Sequence, residues 1–204
     1  QGLGSIATLM LNVAAGAFGD AAIAGMSIVT RISFFTYAMV IGLGQGFQPL
    51  CGFCYGAKLY GRVKEAFFFC IKCGTVFLSV CAILGFIFST SIISIFRDDA
   101  AVVAVGSAAL RWQVLSFPLV ASIVLTNMLM QTIRKPVRAN IVAAARSGLF
   151  FIPLIFILPY FFGLLGVEMC QMWADCCSFA VAVPIAWSAF RDMRREKMEL
   201  GKSH

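Results

Sequence analysis

The sequence predicts an all-α polytopic membrane protein with six transmembrane helices. Hydrophobic residues make up 61% of the chain and the mean hydropathy is +0.93. Charged residues are only 12%, against roughly 25% in a soluble domain. A bilayer-spanning helix needs about 20 mostly apolar residues, so 204 residues with short connections hold about six spans. No length is left for a separate soluble domain.

Span one is Leu3 to Phe18, with Asn12 as its only strongly polar side chain. It follows Gln1 at once, without the basic leader or cleavage site of a signal peptide, so the chain reads as cut from a longer one. Gly19-Asp20 makes a tight turn. Span two runs from Ala21 into a glycine-rich stretch and carries Arg31; Lys58 to Glu65 follows as a short basic loop. Span three, Ala66 to Ile95, is long for one crossing and is expected to tilt or project at one end. Lys72 sits near its start, where it can snorkel. Arg97-Asp98-Asp99 marks the next turn. Span four is Val102 to Ile133, with Arg111, Trp112, Pro118, Asn127 and Gln131 within it. Arg134-Lys135-Pro136-Val137-Arg138 is a basic connection with a proline to stop the helix. Span five is Ala139 to Phe162, with Pro153 and Pro159 inside it, and Gly163 to Gly166 turns the chain. Span six is Val167 to Phe190, carrying Asp175, Cys176, Cys177 and Pro184. Residues 1–190 thus form the membrane domain, and residues 191–204 are expected to be a frayed, basic cytoplasmic tail.

Cytoplasmic loops retain Lys and Arg, and the count is one-sided. Lys58, Arg62, Lys64, Arg134, Lys135, Arg138 and the tail's Arg191, Arg194, Arg195, Lys197 and Lys202 share one side, while the other has only Arg97 beside Asp20, Asp98, Asp99 and Glu168. The tail and, with six spans, the start of span one are therefore expected to be cytoplasmic. The net charge of +7 is parcelled into these loops and is not gathered on one aromatic-flanked face, which argues against nucleic-acid binding.

The residues from Ile41 to Lys58 hold five glycines, Pro49, Gln45 and Gln48. Proline frees a backbone carbonyl, and glycine lets a neighbour approach. Such backbone is tolerated at membrane depth only where protein or a water-lined cavity satisfies the freed groups, so the stretch is expected to interrupt its helix and to wall a pathway. Gly44-Gln45-Gly46-Phe47-Gln48-Pro49, then Gly52, then Tyr55-Gly56-Ala57-Lys58 and the basic loop, resembles the second helix of a repeat in the multidrug and toxic compound extrusion (MATE) transporters. Gly25 to Ile32, Lys135-Pro136 with Arg146 and Ile152-Pro153, and Gly166-Val167 with Asp175 downstream extend the resemblance over nearly the whole chain.

The resemblance implies one six-helix lobe of a two-lobe transporter. A charged tail after the last span and an abrupt start at Gln1 fit the C-terminal lobe, with the N-terminal lobe of the same chain as the missing partner. In many members the cation-coupling carboxylate lies in the first helix of the N-terminal lobe, so no residue here inherits that role. Some members carry acids in the helices matching spans one and four, whereas this sequence has Asn12 and no acid from Val102 to Ile133. That departure argues against sodium coordination by this lobe.

Three features need weighing on their own chemistry. Cys51-x-x-Cys54 and Cys70-x-x-Cys73 have the spacing of a four-cysteine zinc site, but they lie at the ends of apolar helices, where cysteine serves as a small hydrophobe. Packing, with no metal and no disulfide, is the expectation. Arg31 and Arg111 fall within spans, where an arginine costs at least about 2.5 kcal/mol at the centre; both are expected in outer halves, snorkelling, pairing or lining a cavity. Asp175 is the carboxylate well inside a span, expected to pair with Arg31 or Arg111 or to meet a cationic substrate. Gln45, Gln48, Asn127 and Gln131 join helices or touch substrate. The cavity candidates are thus Asn12, Arg31, Gln45, Gln48, Arg111, Asn127, Gln131 and Asp175.

The resemblance implies a secondary antiporter of the bacterial inner (plasma) membrane that exports amphipathic, often cationic compounds in exchange for H+ or Na+. No cofactor beyond the coupling ion is expected, and the partners are a small-molecule substrate and membrane lipid. A lipid-linked sugar flippase is the alternative, and would favour a more cationic cavity. A membrane-embedded cysteine redox or metal protein is a further one. An enzyme is not expected: the spans hold no paired acids, no serine with a base and no histidine, since the one histidine is His204.

Overall fold

The computed structural model describes residues 2–202, so His204 lies outside it. In lipid the backbone must satisfy its own polar groups, and helices do so within one segment. In chain order these are α1 Gly2–Gly16, α2 Asp20–Gly56, α3 Tyr60–Ile87, α4 Ser89–Phe96, α5 Ala100–Thr132, α6 Pro136–Ala144, α7 Phe151–Phe162 and α8 Leu164–Lys202. One π-helical turn, Ala145–Leu149, joins α6 to α7. Five stretches are long and apolar enough to cross a membrane, with α6 through α7 counted as one, and the shorter apolar α1 is the sixth helix of the bundle. The expected span order is therefore present, with α4 finishing span three.

α5 is the axis of the bundle. It packs against α2, α3 and α8 and is the most buried of the five long stretches. Glycine permits a close approach of α2 to α5. A Cβ on Gly25 would stand 3.0 Å from the backbone nitrogen of Gly106, so the N-terminal halves of α2 and α5 meet almost backbone to backbone.

Three sequence expectations change. The basic loop shrinks to three residues, because α2 ends at Gly56 and α3 begins at Tyr60. Leu59 N–H donates to Cys54 O at 2.8 Å and Lys58 N–H to Tyr55 O at 3.0 Å, with Lys58 at φ +58°. This is the left-handed Schellman ending. α5 ends identically, with Lys135 N–H on Met130 O, Arg134 N–H on Gln131 O and Arg134 at φ +58°.

Secondly, the glycine-rich end of α2 is not interrupted, and it runs helically through Pro49. Phe47, Cys51 and Cys54 on this stretch are buried in a core cluster with Phe67 and Cys70 of α3 and Leu125 and Leu129 of α5. That packing outweighs the weak helix propensity of the glycines. The break falls instead in span five. Pro153 has no N–H for the Leu149 carbonyl and crowds it, and the π turn ends at Leu149.

Thirdly, the tail is helical to Lys202. Two contacts anchor it. Lys135 Nζ and Arg138 Nη1 reach Asp192 Oδ2 at 2.5 and 3.1 Å, and Tyr60 Oη donates to Glu196 Oε2 at 2.7 Å. The Lys135 hydrogen bond, helped by Arg138 and opposed by partial burial, holds the Asp192 carboxyl below the usual carboxylate range. At 1.5 Å per residue α8 is about 58 Å long, nearly twice the roughly 30 Å hydrocarbon core, so its charged turns stand outside.

Candidate functional site

Four elements bring polar side chains together in the middle of the bundle. α5 supplies Gln113 and Ser116, three residues apart and so on one face. α8 supplies Gln171 and Asp175, four apart, by the same rule. The π turn supplies Arg146 and α2 supplies Tyr37. Ser116 is the middle residue of α5, and Arg146 lies less than a turn from the middle of Pro136–Phe162. The cluster is at mid-membrane depth.

Asp175 is its centre and is fully buried. Oδ1 accepts from Arg146 Nε at 3.2 Å and from Gln171 Nε2 at 3.0 Å. Oδ2 accepts from Ser116 Oγ at 2.9 Å and lies 3.5 Å from Gln113 Nε2. The same amide nitrogen donates to Tyr37 Oη at 2.8 Å. The Arg146 guanidinium also lies over the Tyr37 ring, 4.5 Å from its centroid, within cation–π range. A lone carboxylate in hydrocarbon is very unfavourable. Here one opposite charge and three neutral donors compensate it, in the low dielectric that makes such bonds strong.

Beside the cluster lies a cavity of about 190 Å³, bounded by α1, α2, α5, the π turn, α7 and α8. Its polar lining includes Thr30, Ser33, Tyr37, Gln113, Arg146 and Gln171. Asp175 stands behind that lining, so the wall presents donors and hydroxyls while the carboxylate is hidden. Ser33 Oγ is the buried side-chain oxygen or nitrogen that lacks a partner among the described residues.

Of the sequence candidates, Asp175 belongs to this cluster. Its partner is Arg146, which corrects the expected pairing with Arg31 or Arg111. Helical phase explains the difference: Arg111 is two residues, about 200°, from Gln113 on α5 and faces away from α8. Arg111 Nε donates to Ser89 Oγ at 2.9 Å and its guanidinium lies 5.7 Å from the Phe86 ring centroid. Arg31 is exposed on α2, six residues from Tyr37 and on another face. Asn12 is half-buried on α1, Gln45 is exposed and Gln48 half-buried on α2, and none of the three lines the cavity. Asn127 Nδ2 donates to Ala139 O at 3.1 Å, tying α5 to α6, and accepts from Gln131. The cavity takes its α2 wall from Met26 to Tyr37 and not from the glycine-rich stretch.

Tyr37, Gln113, Ser116, Arg146 and Gln171 were not among the candidates. Arg146 carried a legible signal. It sits mid-span in an apolar run, too far from either end to snorkel, so it needed a buried partner more than Arg31 or Arg111 did. The cysteine pairs do not gather as ligands. Cys51, Cys54 and Cys70 are buried and Cys73 is exposed, and among the described residues no three His, Cys, Asp or Glu side chains could hold an ion.

The MatE family model matches residues 3–157. The multidrug export protein MepA of Staphylococcus saprophyticus is 27% identical over 193 residues, covering 94% of this chain and 42% of that protein. MepA of Staphylococcus aureus is 30% identical over 180 residues, covering 88% and 39%. Among solved structures, the Vibrio cholerae MATE transporter VcmN in its bent form superimposes with a TM-score of 0.87 at 18% identity, over 93% of this chain and 43% of that one. A MOP superfamily transporter from Pyrococcus furiosus gives 0.88 at 17%, over 94% and 44%. The chain thus spans less than half the length of the relatives it matches.

Proposed function

This chain belongs to the MatE family, and from that premise we propose that it is the C-terminal lobe of a secondary antiporter. It is part of an integral membrane protein of a transporter family and is not an enzyme. The proposed transporter exports amphipathic, often cationic compounds in exchange for H+ or Na+, with this lobe rocking against a second six-helix lobe around a site near the midplane. Relatives named as multidrug export proteins support the substrate class. The observation that carries the reading is the buried Asp175–Arg146 pair beside a mid-membrane cavity, 3.2 Å apart. Intramembrane charges facing a cavity mark substrate or ion pathways.

A lipid-linked sugar flippase would favour a strongly cationic wall. Here one guanidinium lines the cavity, and Asp175 offsets it. Efflux of ethidium from proteoliposomes holding the full-length protein tests the antiport reading, with proton and sodium gradients imposed separately. One gradient is expected to accelerate efflux and collapse of that gradient to abolish the gain. Efflux indifferent to both would overturn it.

A further inference from the structure

The end of the bundle that bears the tail holds a second arrangement, unrelated to the cavity. The spacing Pro184, Trp187, Arg191, Arg195 places all four on one stripe of α8. Together with Ser188 and Asp192 they line a shallow groove of about 480 Å³. Ala182, Ala189 and Met193 face the opposite way and are buried, so the stripe looks out from the bundle. Trp187 is 74% exposed. Arg191 and Arg195 are exposed and, among the described residues, enter no salt bridge.

The charge of the groove is lopsided. Asp192 is the carboxylate of its wall, and Lys135 and Arg138 already occupy it. Among the described residues no carboxylate pairs with Arg191 or Arg195, and both face outward. Depth selects the occupant. α8 is apolar up to Phe190 and charged from Arg191, so the groove straddles the level where the helix leaves hydrocarbon. An indole at that level sits at the headgroup boundary. Two arginines one turn apart form a fork for phosphate oxygens, and exposed Val183 and Trp187 below them offer apolar surface for an acyl chain.

We propose that this groove binds the headgroup of an anionic phospholipid, with phosphate held between Arg191 and Arg195 and its chains along Val183 and Trp187. Specificity is for charge, since each Lys or Arg near an anionic leaflet strengthens attraction about fivefold.

The test uses the full-length protein in mixed micelles, with phosphatidylglycerol and phosphatidylcholine as probes and retained lipid counted by native mass spectrometry. Preferential retention of phosphatidylglycerol is expected, reduced about twentyfold or more by the double substitution Arg191→Gln, Arg195→Gln. Arg97→Gln, at the opposite end, is expected to leave it unchanged. Arg191→Lys with Arg195→Lys keeps charge and fold and is expected to retain part of the preference. Equal retention of the two lipids, or loss of preference in Arg97→Gln matching that in the double variant, would overturn the proposal. Displacement of phosphatidylglycerol by a soluble polyglutamate peptide would also overturn it, in favour of an acidic protein partner.

Discussion

Asp175→Asn is the substitution on which the central cluster stands or falls. The side chain keeps its shape, so any effect is electrostatic. It removes the charge opposite Arg146 and replaces one acceptor oxygen with an NH2 group. That group must then face Ser116 and Gln113, which donate to Oδ2 at 2.9 and about 3.5 Å. The serine hydroxyl can turn to accept; the Gln113 amide nitrogen cannot. Breaking a buried pair by removing one partner costs about 3–5 kcal/mol, because the other charge is left uncompensated. Arg146 is partly open to the cavity, which places the expected loss at the lower end, about 3 kcal/mol. Replacing both partners by apolar residues, Arg146→Met with Asp175→Leu, removes the stranded charge and is expected to recover most of that loss. Cys170 and Cys51 are fully buried, so once the exposed Cys73 and the half-buried Cys81, Cys176 and Cys177 are replaced by serine, the rate at which a thiol-reactive dye labels the protein in detergent reports unfolding. A loss under about 1 kcal/mol for the single variant, or a double variant no better than the single, would refute the account of Asp175 as a buried ion held by Arg146.

The Schellman endings of α2 and α5 carry Lys58 and Arg134 at φ +58°, a conformation that costs an L-residue roughly 1 kcal/mol; Lys58→Gly and Arg134→Gly are each expected to raise stability by about 0.5–1 kcal/mol in the same labelling assay. Gly25→Leu forces a side chain towards the Gly106 backbone and is expected to destabilise by about 1–3 kcal/mol, whereas the same change at Gly42, where a Cβ meets nothing, is expected to be neutral. Asp192, held below the usual carboxylate range, contributes stability that is present above the ordinary carboxylate pKa and lost as pH falls through its lower folded value. Wild type is therefore expected to lose thermal stability as pH falls below about 4 by an increment that Asp192→Asn lacks.

The spans were legible because lipid leaves the chain few options. An apolar run of the right length must be helix, and α2, α5 and span five begin and end within a few residues of where hydropathy, charge and proline put them. The cluster was less legible. Asp175 stood out as an isolated charge, but Gln113, Ser116 and Gln171 are ordinary polar residues in a transmembrane sequence, and only helical phase against a packed neighbour assigns them to it. The glycine-rich stretch misled for a related reason. Glycine and proline weaken a helix locally, yet Phe47, Cys51 and Cys54 bury themselves against α3 and α5, and tertiary packing overrides local weakness. Span five has the opposite balance: Ser147-Gly148 and Pro153 also weaken it, and α7 is far less covered, so the backbone yields there. The tail was misjudged because its anchors, Lys135 and Tyr60, lie 57 and 136 residues away from their partners in sequence.

The position of that yielding turn bears on how such a lobe could take part in coupling. A carboxylate that already accepts from Arg146, Gln171 and Ser116, with Gln113 beside it, has no free lone pair directed at the cavity. In the proposed exchange a cation approaching the same oxygens would meet the guanidinium at close range, so Arg146 and Asp175 would first have to separate. α5 and α8 are packed along their lengths and cannot easily carry Ser116 or Gln171 away. Arg146, by contrast, sits on a π turn, where one register change in the hydrogen-bond ladder rotates every side chain within it. Conversion of Ala145–Leu149 to α-helix would swing the guanidinium about the span axis while leaving Asp175 in place. If the proposed coupling runs through this lobe, it requires separation of Arg146 from Asp175, and the helix break lies at Arg146.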